Sequence, residues 1–141
     1  MKKLYWSVVA YTALGLLAGL YYRELTKAND FTGDTQLSVV HTHLLALGTL
    51  FFLIVVGLEK LFTLSAHRKL FAWFFWLYNV GTLWTVAFLV VHGTLTVLGK
   101  NSGAAIAGMA GLGHILLSAG LVVFLILLHR GIFPRAKAEK A

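Results

Sequence analysis

The 141-residue sequence has no cysteine, a single proline and few charges, with Asp, Glu, Lys and Arg together making up 12%. Without cysteine there is no disulfide, no Cys-ligated zinc, no iron–sulfur cluster, no thiol catalysis and no covalent c-type haem attachment. Histidine, present six times, is the strong nitrogen ligand that remains. A soluble domain is about a quarter charged, so this chain has too few charges to clothe a water-facing surface. Its 59% hydrophobic content and mean hydropathy of +0.82 make the bilayer its solvent. The net charge of +7 would suit nucleic acid as a partner. The charges sit at the ends of apolar segments and form no face, which excludes that partner.

A spanning helix needs roughly 20 mainly apolar residues. Four stretches meet that need, at about 4–22, 37–58, 70–98 and 104–128. The alternating ten-residue pattern of a membrane β-barrel is absent. In lipid a helix satisfies its own backbone groups. The expected fold is therefore all-α, a four-transmembrane-helix bundle over residues 1–133, with 134–141 as a charged cytoplasmic tail. Met1-Lys2-Lys3 before an apolar run imitates a signal peptide. The run is long for that role and no small-x-small cleavage site follows, so the segment is expected to be retained.

Lysine and arginine set the orientation. Lys2, Lys3, Lys60, Arg68, Lys69, Arg130, Arg135, Lys137 and Lys140 fall on one side. The other side has Arg23, Lys27 and Lys100, diluted by Glu24, Asp30 and Asp34. This predicts a multi-pass protein of the inner (cytoplasmic) membrane with both ends inside. Trp6, Trp73 and Trp76 suit the inner interface, and Tyr21 and Tyr22 the outer one. Glu59 and Lys60 read as interfacial charges, with a proton path through Glu59 as the alternative.

His67 and His129 lie at the inner ends of segments and read as surface residues, His129 favoured by the helix dipole. His41, His43, His92 and His114 fall inside apolar spans, where polar groups are costly and face protein or mark function. Each alone could simply bond a neighbouring helix; four on three helices favour a function. Tyr78, Thr82, Thr85, His92 and Thr96 share one stripe of the third helix, which should face the bundle interior. Gly103, Ala107, Gly111, His114 and Ser118 share a stripe of the fourth, allowing close helix approach or room for a flat ligand. His41 and His43, two residues apart, point to nearly opposite sides. If one faces its own bundle, the other faces lipid or another subunit, and lipid is the poor choice for an imidazole.

The string His41-Thr42-His43-Leu44-Leu45 resembles the second transmembrane helix of the haem–copper oxidase superfamily, above all the catalytic subunit of bacterial nitric oxide reductase. There a His-x-His pair serves two haems within three four-helix units around a pseudo-threefold axis. The resemblance implies a homotrimer in which His41 of one subunit and His43 of the next ligate a b-type haem for electron transfer. Arg23, Lys27 and Lys100 are then the cations available to the propionates, and His92 and His114 are left to serve the haem indirectly or to line a polar cavity. The superfamily's copper site needs an adjacent His-His pair where this sequence has only Val91-His92-Gly93, so oxygen or nitric oxide reduction does not follow. The chain also resembles an uncharacterised bacterial family of four-helix membrane proteins, through Asn79-Val80-Gly81 and the apolar run after it. Two alternatives stand beside haem. One is a copper or zinc site built from His41 or His43 with His92 and His114. The other is a structural or assembly protein with no cofactor. The electron donor is not specified by the sequence.

Overall fold

The computed structural model describes residues 1–101 and 103–133. Four helices run α1 (Lys2–Ala28), α2 (Leu37–Phe62), α3 (Arg68–Val97) and α4 (Ala104–Ile132). All four are long and apolar enough to cross a membrane, and no strand occurs among the described residues. They overrun most of the apolar stretches because polar residues continue the ladder past the lipid. Thr26 Oγ1, for example, donates back to the Tyr22 carbonyl at 2.9 Å. The charged tail expected at 134–141 lies outside the described residues.

Lys2, Lys3, Lys60, Arg68, Lys69 and Arg130 lie at one end of the bundle, called the inner end below. The α2–α3 turn there is sharp. Thr63 adopts φ +47°, and its N–H reaches the Glu59 carbonyl at 3.0 Å. Glu59 is only 6% exposed. Its carboxylate accepts the Ser65 N–H at 2.9 Å and the Ser65 hydroxyl. It is thus a buried pin for the turn, where the sequence suggested an interfacial charge at the membrane edge.

Two helix pairs make the bundle. In the first, Gly15 of α1 admits Leu44 and Leu45 of α2, and Gly48 of α2 lies under the Tyr11 ring. In the second, Gly81 of α3 meets the Leu117 backbone of α4, Gly113 meets Thr85, and Gly120 meets Tyr78. Small residues let helix backbones approach, which is how helices associate where lipid is as apolar as the side chains. This corrects one expectation. Gly103 and Gly111 face open space, and His114 and Ser118 are exposed. The close-approach stripe is Gly113, Leu117 and Gly120, a third of a turn away. The expected interior stripe of α3 does face inward: Tyr78, Thr82 and Thr85 are almost fully buried, and His92 and Thr96 partly so.

The pairs join at the inner half through aromatic rings. Phe51 of α2 stacks on Tyr78 at 4.1 Å and meets Phe124 of α4 edge-on at 5.3 Å. Phe52 stacks on Tyr11 at 5.7 Å, and Phe74 lies 4.9 Å from Phe124. In the middle of α2, Leu44–Leu50 winds as a π-helix. Two neighbours meet this stretch: the Tyr78 hydroxyl donates to the Leu47 carbonyl at 2.8 Å, and the Tyr11 ring takes the space a side chain at Gly48 would need. A side chain inserted into the ladder widens the turn.

Candidate functional site

At the outer half the two pairs part. Among the described residues, α4 approaches α2 only along Phe51–Phe62 and the turn after it, and Leu37–Leu50 does not approach α4. The outer end of α2 is held instead to α3, where the Thr35 hydroxyl donates to the Gly93 carbonyl at 2.9 Å. The outer half of α4 therefore rests on α3 alone, and a gap opens between α2 and α4.

Two imidazoles border this gap. His43, Leu47 and Phe51 recur every four residues on one side of α2. Phe51 and the Leu47 carbonyl both meet α3 at Tyr78, so His43 faces the α3–α4 seam from above them. On α4, His114 follows Gly113, which faces Thr85, so its ring leaves the seam about 100° round the helix. Trp84 closes the seam's other flank, its Nε1 donating to the Met109 carbonyl at 2.8 Å. Trp84 lies about 200° round α3 from Val86, which faces α1 and α2, so His114 is on the α2 flank. His92 sits on the α4-facing side of α3, farther out.

Their hydrogen bonds fix which nitrogen is free. His43 Nδ1 lies 2.8 Å from the Val39 carbonyl, and His114 Nδ1 lies 3.3 Å from the Ala110 carbonyl. A carbonyl only accepts, so each Nδ1 carries a proton, and in the neutral ring the lone pair is then on Nε2. This is the tautomer seen in metal-ligating histidine, whose other nitrogen donates to a backbone carbonyl. His41 differs. Its Cβ and Cγ approach Gly19 of α1, within its own bundle. Its Nδ1, like that of His92, is buried without a hydrogen-bond partner. His41 therefore faces α1, whereas helix phase carries His43 to the α3–α4 side.

The remaining predicted residues stand apart. Arg23 is exposed and pairs with its neighbour Glu24 at 3.8 Å. Lys27 is exposed in the last turn of α1, and Lys100 is exposed after Gly99, whose φ is +66°. No hydrogen bond or ion pair joins any of the three to a histidine among the described residues. Nor do any three His, Asp or Glu side chains there gather around a point that could hold a metal ion. His129 is exposed and lies 5.1 Å from the Phe133 ring, and His67 precedes α3, both consistent with surface roles.

Sequence reasoning missed the α1–α2 seam, although Gly15-x-x-x-Gly19 is the small-x-x-x-small signal for it. No curated protein and no solved structure matches the chain, so the oxidase likeness rests on the residues of α2 alone. A family model described as "Protein of unknown function (DUF2871)" matches residues 1–131, and this four-helix, membrane-spanning chain belongs to that family.

Proposed function

We propose that the chain is a structural subunit of a membrane homo-oligomer, whose copies meet across the gap between the outer halves of α2 and α4. One observation carries this reading: His114 lies well inside a span, yet its ring is exposed, and among the described residues its Nε2 has no hydrogen-bond partner. Lipid is a costly neighbour for such a group. Exposed Ser118 and open Gly111 beside it suit a second helix better than acyl chains. A trimer in the inner membrane, both ends inside, is the arrangement favoured by the oxidase likeness and the lysine and arginine asymmetry. Native mass spectrometry in detergent should find an oligomer, with three copies the first expectation. His114→Leu should reduce it without unfolding the subunit. A monomeric parent protein, or an oligomer indifferent to His114→Leu, overturns the proposal.

A second reading places b-type haem between copies, and the opposed faces of His41 and His43 favour it. Nε2 of His43 and the ring of His41 from a neighbouring copy would hold the group, which would supply one-electron transfer. His43 meets the fit on its own tautomer; His41, turned towards Gly19 of α1, must present its ring past that glycine. Reduced protein should then show sharp low-spin bands that His41→Ala and His43→Ala each remove. Colourless protein after expression with ample haem counts against it. The copper or zinc alternative has less support, because His43, His92 and His114 flank one gap without converging.

A further inference from the structure

A second groove, on the opposite side of the molecule, runs between α1 and α3. These helices are tied across it by two hydrogen bonds, Tyr11 to Asn79 at 2.9 Å and Tyr21 to Thr94 at 3.0 Å. Its inner half encloses ≈ 570 Å³ and runs from Lys2 and Lys3 to Leu14 and Leu83. We propose that this inner half holds an acyl chain of one anionic phospholipid of the inner leaflet, with Lys2 and Lys3 on its phosphate.

The groove's body calls for hydrocarbon. Its polar wall groups are already satisfied: the Ser7 hydroxyl donates to the Lys3 carbonyl at 3.1 Å, Tyr11 to Asn79, and Asn79 Nδ2 to the Phe75 carbonyl at 2.7 Å. Lys3 to Leu14 spans about 16 Å along α1, roughly half of a ~30 Å hydrocarbon core, the depth of one leaflet. The volume falls in the range of sites for small molecules, roughly 300–1,000 Å³.

The groove's mouth calls for an anion. Two ammonium groups line it, no carboxylate does, and among the described residues neither lysine is ion-paired. Trp6 and Trp76, 63% and 60% exposed, flank the mouth at the level where indoles meet headgroups. The groove continues outward for a further ≈ 370 Å³, sharing Leu14 and Leu83, but no lysine or arginine lines that part. Charge selectivity therefore belongs to the inner half. A second copy seated there about a twofold axis would set these lysines against themselves.

The test uses the full chain, reconstituted with equal amounts of phosphatidylglycerol and phosphatidylcholine of identical acyl chains, then released into the mass spectrometer. The parent protein should retain phosphatidylglycerol over phosphatidylcholine by about thirtyfold, as expected for two lysines at an anionic surface. Lys2→Gln with Lys3→Gln should bring that ratio towards one while a chain is still retained. Ala10→Trp, which fills the groove from its exposed wall, should lose both lipids. Circular dichroism should match the parent in both variants. Equal retention of the two lipids by the parent overturns the proposal. So does a ratio unmoved by the lysine changes, or cross-linking between copies through the groove with no lipid retained.

Discussion

The inner half of this bundle closes on itself and the outer half does not. At the inner half, Phe51, Phe52, Phe74, Tyr78 and Phe124 interlock three helices, and buried Glu59 pins the adjoining turn. At the outer half, among the described residues, α4 leans on α3 only, two histidine Nδ1 atoms are buried without partners, and Gly108 and Gly111 face open space. Both halves are built from the same four apolar helices. The difference lies in side-chain shape: rings fill the inner half, whereas glycine, threonine and histidine occupy the outer. In lipid, packing and hydrogen bonding decide which surfaces meet, and groups left unpaired are the ones available for a partner.

The largest effect should come from emptying the closed half. Phe52 is fully buried between Tyr11, Phe74 and Tyr78. Phe52→Ala should cost about 3 kcal/mol, the low end of the soluble range because lipid offers the unfolded side chain an apolar home. Reversible unfolding in mixed micelles measures it. A cost below about 0.5 kcal/mol, the size of an ordinary surface change, would mean the ring cluster is not what closes the inner half.

The next contrast sets two glycines of similar helical setting against each other. A Cβ at Gly81 collides with the Leu117 backbone, whereas one at Gly111 meets nothing. Gly81→Leu should destabilise the subunit by about 1–3 kcal/mol, as overpacking does. Gly111→Leu should leave subunit stability within about 0.5 kcal/mol yet weaken the proposed oligomer. Equal effects of the two on unfolding would erase the distinction between seam and open face.

A smaller change probes the boundary between the halves. Tyr78→Phe removes the hydroxyl that donates to the Leu47 carbonyl within the π-helical stretch. The expected loss is about 1 kcal/mol, that of one hydrogen bond. Amide exchange should slow across Leu44–Leu50 if the stretch reverts to α-helix, and stay unchanged if the hydroxyl has no part in widening it.

The spans were legible because lipid imposes length and hydropathy on each helix separately. Tyr78, Thr82 and Thr85 were legible as an inward stripe because polar residues at helical spacing stand out in an apolar run. The π-helical stretch was not, since nothing in Leu44–Leu50 itself demands it; it lies where Tyr11 and Tyr78, from two other helices, meet α2. The α4 seam was misread for a related reason. Gly111 and Gly113 are equal as letters, and only docking against Thr85 and Tyr78 selects the Gly113 side. The histidines were recognised from depth alone. Which of them bonds was not legible: Nδ1 of His43 and of His114 meets the carbonyl four residues back, whereas Nδ1 of His41 and of His92 does not.

In the proposed oligomer another copy covers the open outer half. Dipolar spectroscopy on a single nitroxide tests it directly, and the absence of native cysteine makes the labelling specific. Ser118→Cys, labelled and reconstituted in nanodiscs, should give a defined distance between spins on neighbouring copies and a poor response to oxygen collision. Leu16→Cys, on the exposed face of α1, should respond to oxygen strongly. A label at residue 118 that shows no dipolar coupling, and meets oxygen as freely as one at residue 16, would contradict the account.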